Sequence, residues 1–280
     1  MTVEAYRAEA ERIDTAGLDE GRSATGYERS VLATLSIAFG RLSAEAAQLL
    51  RLCAFFSAEP IPERFFREQA DSLPEPLAAA ARDSLTWEKT VGQLRRFGLA
   101  DRIAIPALDR PPDSADPRTE QALTLHRLTQ EVARHKLCAI PDDCLATQAI
   151  LRLACPADTE LPANWPRLAG LLPHVRHLER YRSAGWLDHR RQSWLLNVLG
   201  MYMTNGPALY AESRRLLDQA LELSRSVLGE EDPDTLRSNE QPRLYAPRPG
   251  RPGRRPPPTG TGARPPPPRP GRGTSEHRDP

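Results

Sequence analysis

Apolar residues recur at helical spacing through most of the first 230 residues, whereas strand-like alternation is confined to two short segments. Steps of three and four residues separate the apolar positions of "YERSVLATLSIAFGRLSAEAAQLLRLCAFF", of "SLTWEKTVGQLRRF" and of most of residues 142–228. Alternation occurs in "LADRIAI" and "QALTL", and the proline-rich "PALDRPPDSADPRTE" separates the two. The pattern predicts a mainly α protein with a small β-hairpin.

Capping residues and helix breakers divide the helical stretches. Ser43 is placed to cap the second helix, Gly98 to end the helix that contains Trp87, and the prolines of "EPIPERFF" to separate two further helices. The remaining predicted helices cover residues 3–16, 142–153, 165–182, 187–203 and 210–228.

The segment "TLHRLTQEVARHKL" (residues 124–137) begins as the end of a strand and continues as an amphipathic helix. Leu125, Leu128 and Val132 form its apolar stripe, and His126 stands where strand and helix meet. Helices followed by two strands and this helix predict a winged-helix arrangement. The sequence leaves open whether His126 is a ligand for something outside the chain or a structural residue.

Charge is distributed unevenly between the body and the tail. Residues 241–280 hold 13 of the 28 prolines and nine arginines against two acidic residues, so the tail carries about seven positive charges. The whole chain is +1, so the body carries about six net negative charges. An acidic body argues against a general nucleic-acid-binding surface, which needs clustered basic residues. The tail lacks residues that could form a core, which predicts disorder.

Four cysteines and a group of histidines are the candidate metal ligands. Cys53, Cys138, Cys144 and Cys155 form no C-x-x-C pair, so we expect reduced thiols, with Cys53 in the core. A zinc site from the last three and a histidine is an alternative with the wrong spacing for a zinc knuckle. His174 and His177, three residues apart, could supply two nitrogens. Since no third ligand is placed by sequence, we interpret them as part of a solvated face.

The N-terminus lacks an apolar signal core, and the longest apolar runs are too short to cross a bilayer. We therefore expect a cytoplasmic protein with no membrane partner.

The segment "LGMYMTNGPALYAESRRLLDQALELSRSVLGEEDPDTL" resembles a kinesin-light-chain-type tetratricopeptide repeat. The resemblance depends chiefly on the following residues: Leu199, Gly200, Tyr202, Tyr210, Leu217 and Ala220. The link "LGEEDPDTL" follows, with Asp232 where the family usually has His. The resemblance covers roughly forty residues and implies a helical hairpin that serves as a protein- or peptide-binding scaffold.

Upstream, "YERSVLATLSIAFGRLSAEAAQLLRLCAFFSAEPIPERFF", "VGQLRRFGLADR" and "LTLHRLTQEVARHKL" together resemble the winged-helix end of the NB-ARC module of actinobacterial STAND signalling proteins. In that family the second wing strand ends in a Met-His-Asp-like element whose histidine reaches the phosphates of bound ADP. Leu125-His126-Arg127 stands at that position, with Arg127 in place of the Asp. The resemblance implies that His126 senses ADP phosphate when a nucleotide-binding domain is present as a partner.

No G-x-x-x-x-G-K-[ST] sequence occurs, so the chain lacks the loop that cradles nucleotide phosphates. We expect a non-enzymatic, regulatory, protein-interaction fragment of a STAND protein, with no cofactor in this chain and ADP or ATP in a full-length relative. Its expected partner is a protein, a peptide or an upstream nucleotide-binding domain. The alternative is a winged-helix DNA-binding regulator, for which Lys89, Arg95 and Arg96 form a small basic footprint.

The repeat pattern stops near residue 239, where an Arg/Pro/Gly-rich sequence begins, and a frameshift is one hypothesis for this change. A basic proline-rich ligand for an aromatic groove or an anionic partner is the functional alternative. The predicted organisation is as follows: 1–24, the end of a preceding NB-ARC region; 25–140, a winged-helix-like domain; 141–190, a helical linker; 191–238, a tetratricopeptide-like repeat; 239–280, a disordered tail.

Overall fold

A computed structural model describes residues 26–109, 118–232 and 235, and this part of the chain is mainly helical with one three-stranded sheet. The α-helices are, in order, α1 (Gly26–Phe39), α2 (Ala44–Cys53), α3 (Arg64–Arg67), α4 (Leu77–Arg82), α5 (Ser84–Arg96), α6 (Arg127–Lys136), α7 (Asp142–Ala154), α8 (Trp165–Leu178), α9 (His189–Asn205) and α10 (Tyr210–Leu228). The strands are β1 (Ile61–Pro62), β2 (Asp101–Pro106) and β3 (Thr119–Thr124). Short 3-10 turns cover Ala70–Ser72, Pro162–Asn164 and Glu179–Tyr181.

The predicted mainly α class is confirmed, and several predicted helix ends lie where the sequence signals placed them. The Ser43 hydroxyl accepts a hydrogen bond from the Ala46 N–H at 3.4 Å, and Gly98 has a φ of +65° just after α5. Asp83 is a cap that the sequence reading missed, since its carboxylate accepts from the Thr86 N–H at 2.7 Å at the start of α5. An Asp followed by Ser between two predicted helical stretches, here Asp83 and Ser84, is a sequence signal for a helix start.

The sheet contains one strand more than the predicted hairpin. Its order is β1–β3–β2, so β3 is the central strand, and both pairings are antiparallel. Leu123 of β3 lies between Ile61 of β1 and Arg102 of β2. The Glu63 N–H donates to the Gln121 carbonyl at 3.0 Å and extends the β1 pairing. A two-residue strand containing Pro62 shows no alternation, which explains why the sequence did not predict it.

One apolar cluster extends from α1 to α10 through the described residues. The largest fully buried side chains belong to the helices and loops on both sides of β1, including Phe55, Phe56 and Trp87. The cluster includes residues on both sides of residue 140. A polar contact also joins these two parts, because Arg51 of α2 forms two hydrogen bonds of 2.8 and 2.9 Å with the Asp143 carboxylate of α7. The proposed division between a winged-helix-like domain and a helical linker stays a prediction.

Helices α9 and α10 form an antiparallel pair. Ser193 meets Ser224, Gly200 meets Leu217 and Thr204 meets Ser213, so residue numbers rise along one helix as they fall along the other. The predicted helix 3–16, most of the proline-rich loop and the tail 239–280 lie outside the described residues. Within the described part, no helix combines the length and the apolar character needed to cross a membrane.

Candidate functional site

His126 caps the N-terminus of α6 with its imidazole. Its backbone is extended (φ −65°, ψ 139°), and its Nδ1 accepts a hydrogen bond from the Leu128 N–H at 3.1 Å. This is the role that Ser, Thr or Asp usually performs at a helix start. Because Nδ1 is an acceptor in this bond, the proton of the neutral ring is on Nε2. His126 and the neighbouring Arg127 are exposed, so His126 is not a core residue.

The buried side of α6 binds the C-terminal end of α2. The Gln130 side chain is 2% exposed, and its Nε2 donates to the carbonyls of Cys53 and Phe56 at 3.0 Å each. Arg134, one turn further, donates to the carbonyl of Ala54. The last carbonyls of a helix have no partner within the helix. Gln130 and Arg134 supply donors to the Phe56 and Ala54 carbonyls. For the Cys53 carbonyl Gln130 is a second donor beside the Phe56 N–H, which lies at 3.2 Å.

Helix α7 completes this cap. The Thr147 hydroxyl lies 3.1 Å from the Leu52 carbonyl and 2.9 Å from the Asp143 carbonyl of its own helix, and the two acceptors share its proton. The Cys138 thiol lies 3.6 Å from the Arg51 carbonyl. The buried side of "TLHRLTQEVARHKL" is therefore structural, because Gln130 and Arg134 join α6 to α2. The sequence reading missed both residues, since their partners lie about 75 to 80 residues away.

Replacing Gln130 with Met should reduce the free energy of unfolding by about 1–3 kcal/mol, because the Phe56 carbonyl loses the Gln130 donor and the Cys53 carbonyl keeps only the Phe56 N–H, while the volume is retained. Urea unfolding followed by circular dichroism measures this change. The control is Gln219→Met on α10, a partly exposed position where we expect a change below about 0.5 kcal/mol. Equal effects of the two substitutions would contradict the capping role of Gln130.

His174 is fully buried, so the interpretation of His174 and His177 as a solvated face is wrong for this residue. The Pro60 carbonyl, 3.2 Å from Nε2, can only accept, so Nε2 carries the proton. Nδ1 then accepts from the Ser57 hydroxyl at 2.8 Å and from the Ser57 N–H at 3.3 Å. Burial lowers the pKa of His174 to about 3. The ring is a neutral link between α8 and the segment after α2, and its spacing from Leu171 and Leu178 was a signal for burial.

Acid should weaken the fold through His174. Its folded pKa lies near 3 against about 6.5 when unfolded, so the unfolded chain binds more protons and stability falls as the pH drops from 6.5 towards 3. At pH 5 the loss amounts to about 2 kcal/mol relative to pH 7. Urea unfolding at both pH values should therefore show a smaller pH dependence in His174→Gln than in the wild type. The exposed control His135→Gln should keep the wild-type pH dependence, and parallel curves for all three proteins would refute this assignment.

A buried ion pair joins the start of α3 to the sheet. Glu63 as a residue is 5% exposed, and its carboxylate binds the Arg102 guanidinium through two hydrogen bonds of 2.6 and 2.9 Å. It also accepts from the indole N–H of Trp87 at 2.6 Å. Arg102 reaches outward to the exposed Glu88, at 2.6 and 2.8 Å. Every strong donor and acceptor of this group has a partner, which is the arrangement of a structural link.

The residues that carry the repeat resemblance lie mostly inside the α9–α10 pair. Five are buried and one, Tyr210, is exposed at the start of α10; the five are Leu199, Gly200, Tyr202, Leu217 and Ala220. A Cβ on Gly200 would lie 2.7 Å from Cγ of Leu217, so the glycine permits the close approach of the two helices. Most of these residues therefore contribute to the packing of α9 against α10, and their role in an interaction surface stays a prediction.

Two of the surface cavities in the described part of the chain have volumes of about 560 and 420 Å³. Arginines line the larger cavity, and each has a partner: Arg64 with Glu120, Arg67 with Ser84, Arg82 with Asp71 and Arg102 with Glu63. Burial raises the pKa of the Cys138 and Cys144 thiols to about 12, which does not suit a nucleophile. Among the described residues, no group of three His, Cys, Asp or Glu side chains is placed to hold a metal ion.

No protein-family model, no curated protein and no solved structure matches this chain.

Proposed function

We propose that this chain is a non-enzymatic regulatory and protein-interaction part of a STAND-type signalling protein. In this proposal the segment from α2 to α6 is a winged-helix sensor arm for a nucleotide switch. The α9–α10 pair is a tetratricopeptide-like scaffold for a protein or peptide partner. The nucleotide, ADP or ATP, binds to a separate domain of the same signalling protein and meets this chain through His126.

The topology supports the sensor-arm assignment. Helices α2 to α5 precede the antiparallel strands β2 and β3, and α6 follows the second strand directly. This is the order that the winged-helix resemblance implies. The antiparallel α9–α10 pair, with Gly200 at its closest approach, has the form that the repeat resemblance implies.

The exposed imidazole of His126 is the observation on which the proposal mainly depends. The N-cap bond to Leu128 occupies Nδ1 of an exposed residue and leaves the Nε2–H as the free donor of the ring. An N–H donor of this kind suits a phosphate oxygen. A core or metal-binding histidine would need neighbours that His126 lacks in the described part of the chain.

His126→Ala should leave the fold of this chain largely intact, with a loss of about 0.5–1 kcal/mol from the missing cap. The same substitution should weaken ADP retention when the chain is joined to the polypeptide encoded immediately upstream. Nucleotide content after gel filtration, measured by chromatography of the denatured protein, tests this expectation. Unchanged ADP retention, or a loss of several kcal/mol in the isolated chain, would refute a sensor role, as would ATP turnover by this chain alone.

A winged-helix DNA-binding regulator is the second candidate. The basic residues Lys89, Arg95 and Arg96 are exposed on α5 and favour DNA binding. Glu88 is exposed on the same helix, and the charge of Arg102 is compensated by two carboxylates. Titration with duplex DNA at several salt concentrations separates the candidates, since a DNA-binding protein shows an affinity that falls steeply with salt. We expect no such salt-dependent binding.

A further inference from the structure

A cluster of hydrogen-bond donors lies where α6 meets the end of α8. It consists of Arg134 from α6, His177 from α8, and Arg180 and Tyr181 from the 3-10 turn that follows α8. We refer to these four residues as the donor cluster. The positive charges of Arg134 and Arg180 both act on His177 and on Tyr181, so the two guanidiniums lie within electrostatic range of both rings. The rings of His177 and Tyr181 are 6.1 Å apart.

The Tyr181 hydroxyl is buried and has no acceptor among the described residues. The residue is 8% exposed, and its ring packs edge-on to Phe55 and stacks on Trp186, each with a centroid distance of 5.5 Å. Its Oη makes no well-formed hydrogen bond within the described part of the chain. Arg180 lies beside this oxygen, but a guanidinium can only donate, so the hydroxyl proton still lacks a partner. A buried hydroxyl in this state costs free energy unless a further group supplies the acceptor.

The other side chains of the donor cluster also have few acceptors among the described residues. Nε2 of His177 is buried and has no partner among the described residues. Arg134 donates to the Ala54 carbonyl, and neither it nor Arg180 forms an ion pair with a carboxylate in that part of the chain. Burial is the main cause that lowers the pKa of His177 to about 4, and the positive charges of Arg180 and Arg134 lower it further.

We propose that the donor cluster binds a small oxyanion, either free phosphate or a phosphate group carried by a larger ligand. One tetrahedral oxyanion can accept from two guanidiniums, a tyrosine hydroxyl and an imidazole N–H, which would supply the donor cluster with the acceptor that it lacks among the described residues. Arg180 is exposed, so the cluster can be reached from solvent on that side. The inference concerns α6 and α8 alone and does not depend on the proposed sensor role of His126.

Isothermal titration of the full chain with inorganic phosphate, in a low-salt zwitterionic buffer at pH 7, tests the proposal. We expect saturable binding at one site. Arg180→Gln should raise the dissociation constant at least tenfold, and Tyr181→Phe should raise it several-fold while the stacking on Trp186 is retained. Arg95→Gln, which removes an exposed arginine from α5, should bind phosphate as the wild type does.

Several outcomes would overturn the proposal. A single bridging water in place of the anion would give no saturable phosphate binding. Non-specific screening would give the same response to sodium chloride at equal ionic strength, or the same loss in Arg95→Gln as in Arg180→Gln. A parallel titration with O-phosphoserine identifies the source of the anion. Tighter binding than phosphate indicates a ligand-borne phosphate, and weaker binding indicates the free ion, and both agree with an oxyanion site.

Discussion

Replacing Glu63 with alanine is expected to reduce the free energy of unfolding by about 3 kcal/mol or more. The substitution removes the carboxylate that binds Arg102 in two hydrogen bonds and leaves the indole N–H of Trp87 buried without an acceptor. Removing one member of a buried ion pair leaves the other charge uncompensated, which costs about 3–5 kcal/mol. The remaining contact of Arg102 with Glu88 reduces this cost. Chemical denaturation of both proteins at pH 7 measures the difference.

Glu88→Ala is the matched control. Glu88 binds the same guanidinium at similar distances, but its side chain is 56% exposed against 6% for Glu63. An exposed ion pair contributes about 0–1 kcal/mol, so Glu88→Ala should have a small effect. If the two alanine substitutions destabilised the fold equally, burial would not be the source of the Glu63 contribution, and our account of this network would fail.

Gly200→Val should destabilise the fold by about 3 kcal/mol. Its Cβ would lie 2.7 and 2.8 Å from two carbons of Leu217 and 3.3 Å from the Ser213 carbonyl, so α9 and α10 would have to separate. The matched substitution Gly92→Val lies on the exposed side of α5, where a Cβ meets no atom within 4 Å. There the gain in helix propensity should leave stability unchanged or slightly higher. Thermal unfolding of both variants gives the comparison.

A second substitution at Leu217 tests the cause of the Gly200 effect. Leu217→Ala alone should destabilise the fold by about 2–5 kcal/mol, because it removes a side chain that is 2% exposed. Combined with Gly200→Val, it provides space for the new methyl groups. The double variant should therefore be more stable than the sum of the single effects predicts. Strict additivity would show that the Gly200 effect does not arise from contact with Leu217.

Helix positions were accessible to sequence reasoning because they depend on contacts three or four residues apart. The predicted segment 210–228 coincides with α10, and the Ser43 cap and the Gly98 stop lie where local signals placed them. Such signals need only the neighbouring residues. The two-residue strand β1 was missed because it is defined by its partner, β3.

In the candidate site, too, the local features were predictable from the sequence and the long-range contacts were not. The sequence located His126 at the start of a helix, because the change from alternation to helical spacing occurs at that residue. It could not show that Gln130 and Arg134 cap α2, since their partners are distant in sequence. His174 was predicted to be exposed because its side chain is polar. Its helical spacing from Leu171, Val175 and Leu178, which are all buried, indicates that it is buried as well.

The sequence alone determined the mainly helical class, the position of most helices and the strand-to-helix junction at His126. These features follow from periodicity and capping, which act within a few residues. The tertiary structure decided which polar groups became internal links: Glu63 with Arg102, His174 with Ser57, and Gln130 with the end of α2. It also brought the donor cluster together from α6 and α8. A buried polar group must find a partner wherever the fold places one, and that partner can lie anywhere along the chain.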